Sequence, residues 1–470
     1  MFSFSLPYFC PHFFACRSTK FPTPGPGRTR AKRWRQEDVP FSFHILAPGL
    51  RRLHLTFWCI SSYTKVVLLR DTILGVLKDQ RPPLAPADEV PRELVSSIPA
   101  RSAEAIALKG VRRCGKSVLQ CQLMRRHNAA LYCNLEDTRL YGLSPADFPT
   151  LLSVMEELAP GAVPVFLDEV QEAPEWERLV RALLDRGRTV CVTGSNASLL
   201  SRELGARLTG RHLPLEVFPF SYGEYLAFTG TTAGEDSLLG YLDEGGFPGY
   251  LRERTAAVLQ QLLRDVVQRD INVRHGLRET RHVMNLALFL LANTGQPFSL
   301  QTLSKSLGIP TVAQAGRYIE YLEESYLLFS VPKFSPSFKR RVVAPNKYYA
   351  VDNGFRRVNS PQAAPDRGHR LENAVFLALR RRGASVCYAG EKDQWECDFV
   401  TEDSAIQVCA ELTSYNRGRE LAGVAHACRL PGKRRALILT VNQRDRIAES
   451  GRTVEVQPVW EWLVESAVKH

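Results

Sequence analysis

Eight consecutive residues of the chain have the types and spacing needed to hold a phosphate group. Gly110-Val-Arg-Arg-Cys-Gly115-Lys116-Ser117 fits the pattern G-x-x-x-x-G-K-[ST] at every fixed position. The glycines let the backbone curl so that its N–H groups point at phosphate oxygens. Lys116 would neutralise the terminal phosphates, and the Ser117 hydroxyl would ligate Mg²⁺. The predicted nucleotide-binding residues are Gly110, Arg113, Cys114, Gly115, Lys116, Ser117 and Val118.

Two carboxylates follow an apolar run about 50 residues after this loop. Val163–Leu167 predicts a strand, and Asp168 and Glu169 come directly after it. Asp168 would hold the Mg²⁺ shell, and Glu169 would orient or deprotonate an attacking water. Such a pair is otherwise often a solvated turn or a helix cap, but its place downstream of the loop favours catalysis.

The side chains that would sense or stabilise the transferred phosphate are harder to assign. Thr189–Thr193 predicts another strand, and Asn196 or Ser195 beyond it is a candidate phosphate sensor, with a simple turn as the alternative. An arginine finger would stabilise the charge of the transition state. Arg211 or Arg207 is the candidate, in its own chain or across subunits, and a solvated arginine is the competing interpretation. The candidate catalytic residues are Glu169, Lys116, Asn196 and Arg211.

The elements around these residues alternate between strands and helices. Ile106–Lys109 predicts a short buried strand before the loop, and Val118–Arg126 predicts a helix after it. Ala129–Leu135 predicts a further strand between the two motifs. A phosphate-binding loop requires this strand–loop–helix context, because the helix N-terminus adds a favourable dipole. We therefore expect the α/β class.

One known family shares many of these sequence motifs. The chain resembles the AAA-type P-loop ATP-binding proteins of bacteria and archaea that carry a C-terminal domain of unknown function. The shared motifs include GVRRCGKS, YCNLED, VFLDEVQ, VTGSNASLLSRELGARLTGR and FPFSYGEYL. The resemblance continues through GGFPGYL, YLEESYLLF, YYAVDNG, LENAVFLALRRRG and ECDFV, and covers roughly residues 66–465. It implies an AAA-type ATPase domain, a helical winged-helix-like middle segment and a C-terminal α/β domain similar to the restriction-endonuclease fold.

The predicted organisation therefore has four parts. They are a non-native or disordered N-terminal extension (1–65), the ATPase domain (66–250), the helical, winged-helix-like region (251–345) and the C-terminal nuclease-like domain (346–470).

The segment Arg281–Ser330 has the pattern of a helix-turn-helix. Its third predicted helix, Thr311–Glu324, places Val312, Ile319 and Leu322 on the inward face. Reading DNA through this helix needs basic residues, and it offers only Arg317 against three glutamates, so we favour a structural or protein-contact role. The basic residues of the wing side could contact a phosphate backbone or be solvated: Lys333, Lys339, Arg340, Arg341 and Lys347.

The C-terminal part offers an incomplete nuclease site. Glu372 and Asp398 resemble the helix and strand carboxylates of a nuclease core in which a lysine positions the water. Gln407 stands where a second carboxylate is expected, and Cys409 where the lysine is expected. An amide binds Mg²⁺ poorly and a thiol cannot replace an ammonium, so we expect no cleavage, although Glu411 lies on the same strand face. The domain is interpreted as a binding or scaffolding module, with Glu372 and Asp398 either structural or residual metal ligands.

The formal net charge of +12 is concentrated at one end of the chain. Residues 1–65 contain ten basic and two acidic residues, and the remainder is close to neutral, so bulk charge does not by itself indicate nucleic acid. Met1–Phe21 lacks the pattern of a secretory signal. No methionine lies between Met1 and Met124, and the first helical pattern begins near Val66. We expect residues 1–65 to be an over-extended reading frame, with a disordered basic tail as the alternative.

The eleven cysteines show no Cys-x-x-Cys pair and no zinc-ligand spacing, so we expect reduced thiols in a cytoplasmic protein. The longest nearly uncharged apolar stretch, about Val283–Ala292, is far shorter than the ~18–20 residues of a membrane span, so no membrane partner is expected. The predicted ligands are ATP and Mg²⁺, and the predicted partner is an unknown protein. Nucleic-acid processing with ATP as a switch is the alternative function, and formation of a homo-oligomer is left open.

Overall fold

The structure, a computed structural model, describes residues 41–43, 55–57, 68–82, 88–194, 210–277, 279–360, 367–391 and 394–467. The chain divides into two compact units, Met1–Lys65 and Val66–His470. The described part of the first unit contains two antiparallel strands, β1 (Phe41–Phe43) and β2 (Leu55–Phe57). The described part of the second unit contains three further sheets, of five, three and six strands.

The five-stranded sheet is parallel, with the strand order β4-β5-β6-β3-β7. Its strands are β3 (Ala105–Lys109), β4 (Leu131–Asn134), β5 (Val165–Asp168), β6 (Val190–Thr193) and β7 (His212–Glu216). Its helices are α1 (Arg70–Asp79), α2 (Lys116–Met124), α3 (Phe148–Leu158) and α4 (Trp176–Asp185). Three short 3₁₀ turns are Glu93–Ser97, Thr138–Leu140 and Val170–Glu172.

The central strands of this sheet are apolar along their whole length because both sheet faces are covered. Every residue of β3, β5 and β6 is buried. In a parallel sheet the carboxyl ends of all strands share one edge, so the loop after β3 and the carboxylates at the end of β5 lie on the same side. The expected α/β class is confirmed, and the sheet is of the kind typical of P-loop ATPase domains.

A run of helices follows β7. These are α5 (Tyr222–Thr229), α6 (Glu235–Glu244), α7 (Pro248–Glu253) and α8 (Ala256–Asp265), and a π-helical segment, Val266–Val273, continues α8. The start of α5 is fixed by a capping box, in which the Ser221 hydroxyl accepts from the Glu224 N–H and the Glu224 carboxylate accepts from the Ser221 N–H.

The middle segment combines three helices with a small antiparallel sheet of order β8-β10-β9. The elements are α9 (Arg281–Ala292), β8 (Pro297–Phe298), α10 (Leu300–Ser306), α11 (Val312–Glu324), β9 (Leu328–Val331), α12 (Phe338–Val343) and β10 (Asn346–Ala350). Ile319 and Leu322 are buried as predicted. The inward prediction for Val312 is wrong, since its side chain is 44% exposed in the first turn of α11.

The C-terminal part forms a six-stranded mixed sheet, with the strand order β11-β12-β13-β14-β16-β15. Its strands are β11 (Cys387–Glu391), β12 (Trp395–Val400), β13 (Ser404–Val408), β14 (Arg435–Thr440), β15 (Asp445–Glu449) and β16 (Arg452–Pro458). Its helices are α13 (Asn353–Asn359), α14 (Arg367–Arg381), α15 (Arg417–Ala427) and α16 (Val459–Ala467). None of the described helices is both long and apolar enough to span a membrane.

Helix α14 ties the C-terminal sheet to the parallel sheet. Arg380 donates twice to the Glu216 carboxylate at the end of β7, both times at 2.8 Å. Arg381 donates to the Pro219 carbonyl at 3.0 Å, and its guanidinium lies 5.3 Å from the centre of the Phe218 ring. The helix that carries Glu372 therefore also contacts the segment that follows β7.

Candidate functional site

At both ends of the loop between β3 and α2, only glycine fits. A Cβ atom on Gly110 would lie 2.0 Å from the Val217 carbonyl oxygen. Gly115 has φ +100°, and a Cβ there would lie 2.9 Å from the Arg92 guanidinium. The left-handed backbone at Gly115 directly precedes the first residue of α2, so the loop turns sharply into the helix N-terminus.

The side chain of Lys116 folds back onto this loop. It is only 7% exposed, and its ammonium donates to the carbonyl oxygens of Gly110 at 3.0 Å and Val111 at 3.1 Å. Both acceptors are neutral backbone groups. Neither hydrogen bond is to a carboxylate, so the buried ammonium favours an anionic ligand that can replace the two carbonyls.

A buried arginine that the sequence reasoning missed supports the loop from beneath. Arg92 donates to the Cys114 carbonyl at 3.0 Å, the Phe218 carbonyl at 2.7 Å and the Glu224 carboxylate at 2.8 Å. Burial alone would lower the pKa of Arg92, and the Glu224 carboxylate outweighs burial and raises it. The guanidinium therefore stays charged and fixes the loop backbone. No short motif marks Arg92, because its partners lie 22 to 132 residues away.

Asp168 and Glu169 lie at the carboxyl end of β5, as their motif predicts. Asp168 is 4% exposed and accepts from the Tyr132 hydroxyl at 3.0 Å and from the Thr193 hydroxyl. Glu169 has φ +51°, and its N–H donates to the Thr193 hydroxyl oxygen at 3.2 Å. Gln171 donates to the Glu169 carboxylate at 2.5 Å. Thr193, fully buried at the end of β6, therefore holds both members of the acidic pair.

A cavity of 430 Å³ brings the loop and Glu169 together. Its lining includes Arg113, Gly115, Lys116, Ser117 and Val118 from the predicted nucleotide set, together with Arg112 and Glu169. Val90, Phe220, Pro248 and Val258 supply apolar surface in the same cavity. Cys114 is fully buried beneath the loop, where its thiol donates to the Val217 carbonyl at 3.2 Å.

The donor chemistry here fits Mg²⁺ held together with a nucleotide. Ser117 and Asp168 offer oxygen donors, which is the type that Mg²⁺ prefers. Within the described ranges, no group of three or more acidic, histidine or cysteine side chains could hold a metal ion by itself. A magnesium ion at this loop would therefore take most of its ligands from phosphate oxygens and water.

One of the predicted catalytic assignments falls on residues that the structure does not describe. Asn196, with its alternatives Ser195 and Arg207, lies outside the described residues, which stop at Gly194 and resume at Gly210. Thr193 is the described polar residue at that strand end in contact with Asp168. Its signal in the sequence was its place as the last residue of the apolar run.

Arg211 lies at the wrong end of the sheet to act on its own loop. Its carbonyl accepts from the Ala105 N–H at 3.1 Å, at the amino end of β3, and its guanidinium donates to Asp185 at 2.7 Å. The loop follows the opposite end of β3, five residues away at about 3.3 Å per residue. The prediction of Arg211 as a finger within its own chain is therefore corrected, and its half-exposed ion pair with Asp185 fits the competing interpretation of a solvated arginine.

The incomplete nuclease residues do meet, in a second cavity of 1300 Å³. Glu372, Asp398, Gln407 and Cys409 all line it. Gln407 accepts from the Asp398 N–H at 3.2 Å and donates to Glu420 at 2.8 Å, so its amide is part of a hydrogen-bonded network.

Lys347 requires a correction, because the sequence suggested a solvated or phosphate-contacting side chain. It is 2% exposed, and its ammonium lies 3.1 Å from Glu372, 3.0 Å from Asp398 and 2.7 Å from Glu396. Burial alone would lower the pKa of Lys347, and the carboxylates outweigh burial and raise it well above its usual range. An ammonium therefore lies between the carboxylates of the C-terminal site.

The parallel sheet, the glycine-bounded loop and the paired carboxylates define a P-loop protein of the AAA class. The AAA domain family matches residues 102–226, and a domain of unknown function (DUF8612) matches residues 235–362. An uncharacterized protein of Haemophilus influenzae is 31% identical over 329 residues, which are 65% of this chain and 82% of that protein. The chain belongs to the same family as this protein.

Two further proteins are similar to the chain. An uncharacterized protein of Methanocaldococcus jannaschii is 29% identical over 387 residues, covering 75% of this chain and 86% of that protein. A solved signal-transduction ATPase with a tetratricopeptide-repeat sensor from Pyrococcus horikoshii is 12% identical, with a TM-score of 0.28. The match covers 64% of this chain and 46% of that one, and its TM-score is too low to establish a shared overall fold.

Proposed function

We propose that the chain binds ATP with Mg²⁺ at the loop Gly110–Ser117 and hydrolyses it. The observation that carries the proposal is the position of Lys116, which lies buried against two neutral carbonyls in a cavity shared with Glu169. Charge-assisted bonds to phosphate are stronger than bonds to neutral carbonyls, so the terminal phosphates would replace Gly110 and Val111 as its acceptors.

The other side chains of the site then have separate roles. The backbone N–H groups from Arg113 to Val118 would bind phosphate oxygens, and the Ser117 hydroxyl would ligate Mg²⁺. Both oxygens of Asp168 already accept hydrogen bonds, so Asp168 would hold the ion through its water shell. Glu169 would orient the attacking water or accept its proton.

The remaining parts of the chain would transmit the nucleotide state to an unknown protein partner. We propose the domain boundaries 66–250, 251–345 and 346–470, with a winged-helix-like middle region and a nuclease-like domain that does not cleave. The hydrogen-bonded amide of Gln407 supports that absence of cleavage, because it stands where a second carboxylate is expected and an amide binds Mg²⁺ poorly. The eight described cysteines are free thiols, which fits a cytoplasmic location.

The experiment is steady-state turnover of Mg-ATP by the full chain, by Lys116→Ala and by Lys78→Ala. Lys78 is the matched control, since it is an exposed lysine on α1 outside the cavity. We expect turnover by the wild type and by Lys78→Ala, and a loss of at least ~100-fold in Lys116→Ala. Equal turnover in all three proteins contradicts the proposal.

Duplex DNA added to the same assay tests the alternative function. On α11 the only basic residue, Arg317, is accompanied by Glu320, Glu323 and Glu324, and Lys347 is buried in the ion-pair cluster. We therefore expect the turnover rate to be unchanged by DNA. Strong stimulation by DNA would favour nucleic-acid processing with ATP as a switch.

A further inference from the structure

Two consecutive arginines of the loop lie against the helical segment that follows the AAA domain. Arg112 donates to Asp270 with two nitrogens, Nε at 3.2 Å and one terminal nitrogen at 2.8 Å. Arg113 donates to Asp265 at 3.3 Å. The Arg112 pair is bidentate, which is the geometry that guanidinium groups also adopt with phosphate.

The partner of Arg112 sits in an unusual stretch of helix. Asp270 belongs to the π-helical segment Val266–Val273, and its side chain is 8% exposed. π-helical turns are rare and occur frequently at functional sites. The pair also joins the loop to residues 158 positions further along the chain, beyond the matched AAA domain.

The guanidinium of Arg112 lines the same 430 Å³ cavity as Lys116, Ser117 and Glu169. Its pKa is raised, first by the hydrogen bond to Asp270 against the effect of burial, and further by Glu169 and Glu136. Arg112 is thus surrounded by three carboxylates. A triphosphate that enters this cavity adds more negative charge, and its terminal phosphate needs a cation besides Lys116 and the Mg²⁺ ion.

Two other described arginines near the sheet do not meet this need. Arg92 is fully engaged beneath the loop, and Arg211 lies at the opposite end of β3. Arg112 is 29% exposed and bonds one carboxylate, so its side chain can turn by breaking this one pair.

We propose that Arg112 is a catalytic arginine supplied by the loop itself. Its guanidinium breaks the pair with Asp270 and binds the terminal phosphate of ATP. This inference rests on the proposed ATPase function. In the absence of ATP, Asp270 holds Arg112 in the bidentate pair. With ATP bound, the guanidinium stabilises the charge of the transferred phosphate and releases Asp270. ADP lacks the terminal phosphate, so the Arg112–Asp270 pair re-forms after hydrolysis and the π-helical segment senses which nucleotide is bound.

The test compares Arg112→Gln and Asp270→Asn in the full chain, because both changes break the same ion pair. Affinities for Mg-ATP and Mg-ADP are measured by titration calorimetry, and turnover is measured in parallel. Arg139→Gln is the matched control, since Arg139 also forms a two-nitrogen pair with an aspartate, Asp137, at 3.1 and 2.9 Å outside the cavity.

The two variants are expected to change the affinity for ATP in opposite directions. Arg112→Gln weakens ATP binding by ~10-fold or more, leaves ADP binding within ~3-fold, and lowers turnover by ~100-fold or more. Asp270→Asn strengthens ATP binding several-fold, since it removes the competing carboxylate. Arg139→Gln leaves both affinities and turnover unchanged.

An ion pair with only a structural role gives a different pattern. In that case Arg112→Gln and Asp270→Asn change ATP and ADP affinity in the same direction, and this result overturns the inference while leaving the ATPase intact. A wild-type chain that binds no ATP, or whose turnover survives Lys116→Ala, overturns the proposed function itself.

Discussion

Lys116 and Lys347 are both buried lysines, and their surroundings are opposite. Lys116 is 7% exposed and bonds two neutral carbonyls of its own loop. Lys347 is 2% exposed and lies within 3.1 Å of three carboxylates from α14 and β12. The two carbonyls that accept from the Lys116 ammonium do not neutralise its positive charge, whereas the Lys347 ammonium is neutralised by the carboxylates around it.

The site around Lys116 can therefore bind an anion, whereas the carboxylates of the C-terminal site are already paired with Lys347. Phosphate can replace the carbonyls around Lys116 and gain a stronger bond. A ligand that replaces Lys347 would have to compensate Glu372 and Asp398 at once, in a buried setting where unpaired charges are costly. The two regions therefore respond differently to the same substitution.

The largest effect is expected for Lys347→Met, which leaves the Glu372 and Asp398 carboxylates buried without their cation. Removing one partner of a buried ion pair costs about 3–5 kcal/mol of unfolding free energy. Lys116→Met removes only two bonds to neutral carbonyls and should cost about 1 kcal/mol or less. Calorimetric melting of the full chain checks both values, and equal destabilisation by the two variants would remove the distinction between the sites.

A smaller effect on stability is expected from a change in pH. Burial first, and then Asp398, raises the pKa of Glu372 from its ordinary value of 4.5 to about 7, against the opposing charge of Lys347. Because the folded-state pKa is the higher one, this carboxyl stabilises the fold fully below about pH 4.5, and the contribution is lost as the pH rises through about 7. The Tyr349 hydroxyl and His369 also face the group.

Glu372→Gln sharpens this test, since the Tyr349 and Lys347 bonds both go to one oxygen that glutamine retains. Between pH 5 and 8, the wild type should lose on the order of 2 kcal/mol of unfolding free energy relative to the variant. Melting temperatures at several pH values provide the measurement. A parallel pH dependence of the two proteins would show that Glu372 does not titrate in this window.

Thr193→Val at the nucleotide site is expected to lower stability less than Lys347→Met does. The valine removes the hydroxyl that donates to Asp168 and accepts from the Glu169 N–H. We expect a loss of about 1–2 kcal/mol in stability and a ~10- to 100-fold loss of turnover, with a higher Mg²⁺ requirement. Thr193→Ser keeps the hydroxyl and should restore most of the turnover. A serine variant as poor as the valine variant would contradict the role of the hydroxyl.

The sequence predicted the elements that depend on neighbouring residues. The strand before Gly110, the helix after Ser117 and the strand ending at Asp168 were all expected within a few residues of their observed bounds. Each is encoded by an apolar run next to a glycine-rich or acidic turn, so the signal lies within about ten residues of sequence.

Contacts between distant segments could not be predicted in this way. Lys347 bonds residues 25 and 51 positions away, and nothing in its neighbours distinguishes a buried lysine from a solvated one. The Arg112–Asp270 pair likewise spans 158 positions. Long-range pairs of opposite charge are set by the packing of whole elements, which a single sequence does not reveal.

Glu169→Gln gives the sharpest separation of nucleotide binding from hydrolysis. The amide keeps the size of the side chain and its contact with Gln171, but it cannot accept a proton from water. Bound nucleotide and turnover of the full-length variant are measured with Mg-ATP in one experiment. We predict wild-type affinity for ATP with turnover lower by at least ~100-fold, so that ATP stays bound. Wild-type turnover in Glu169→Gln would contradict hydrolysis at this acidic pair.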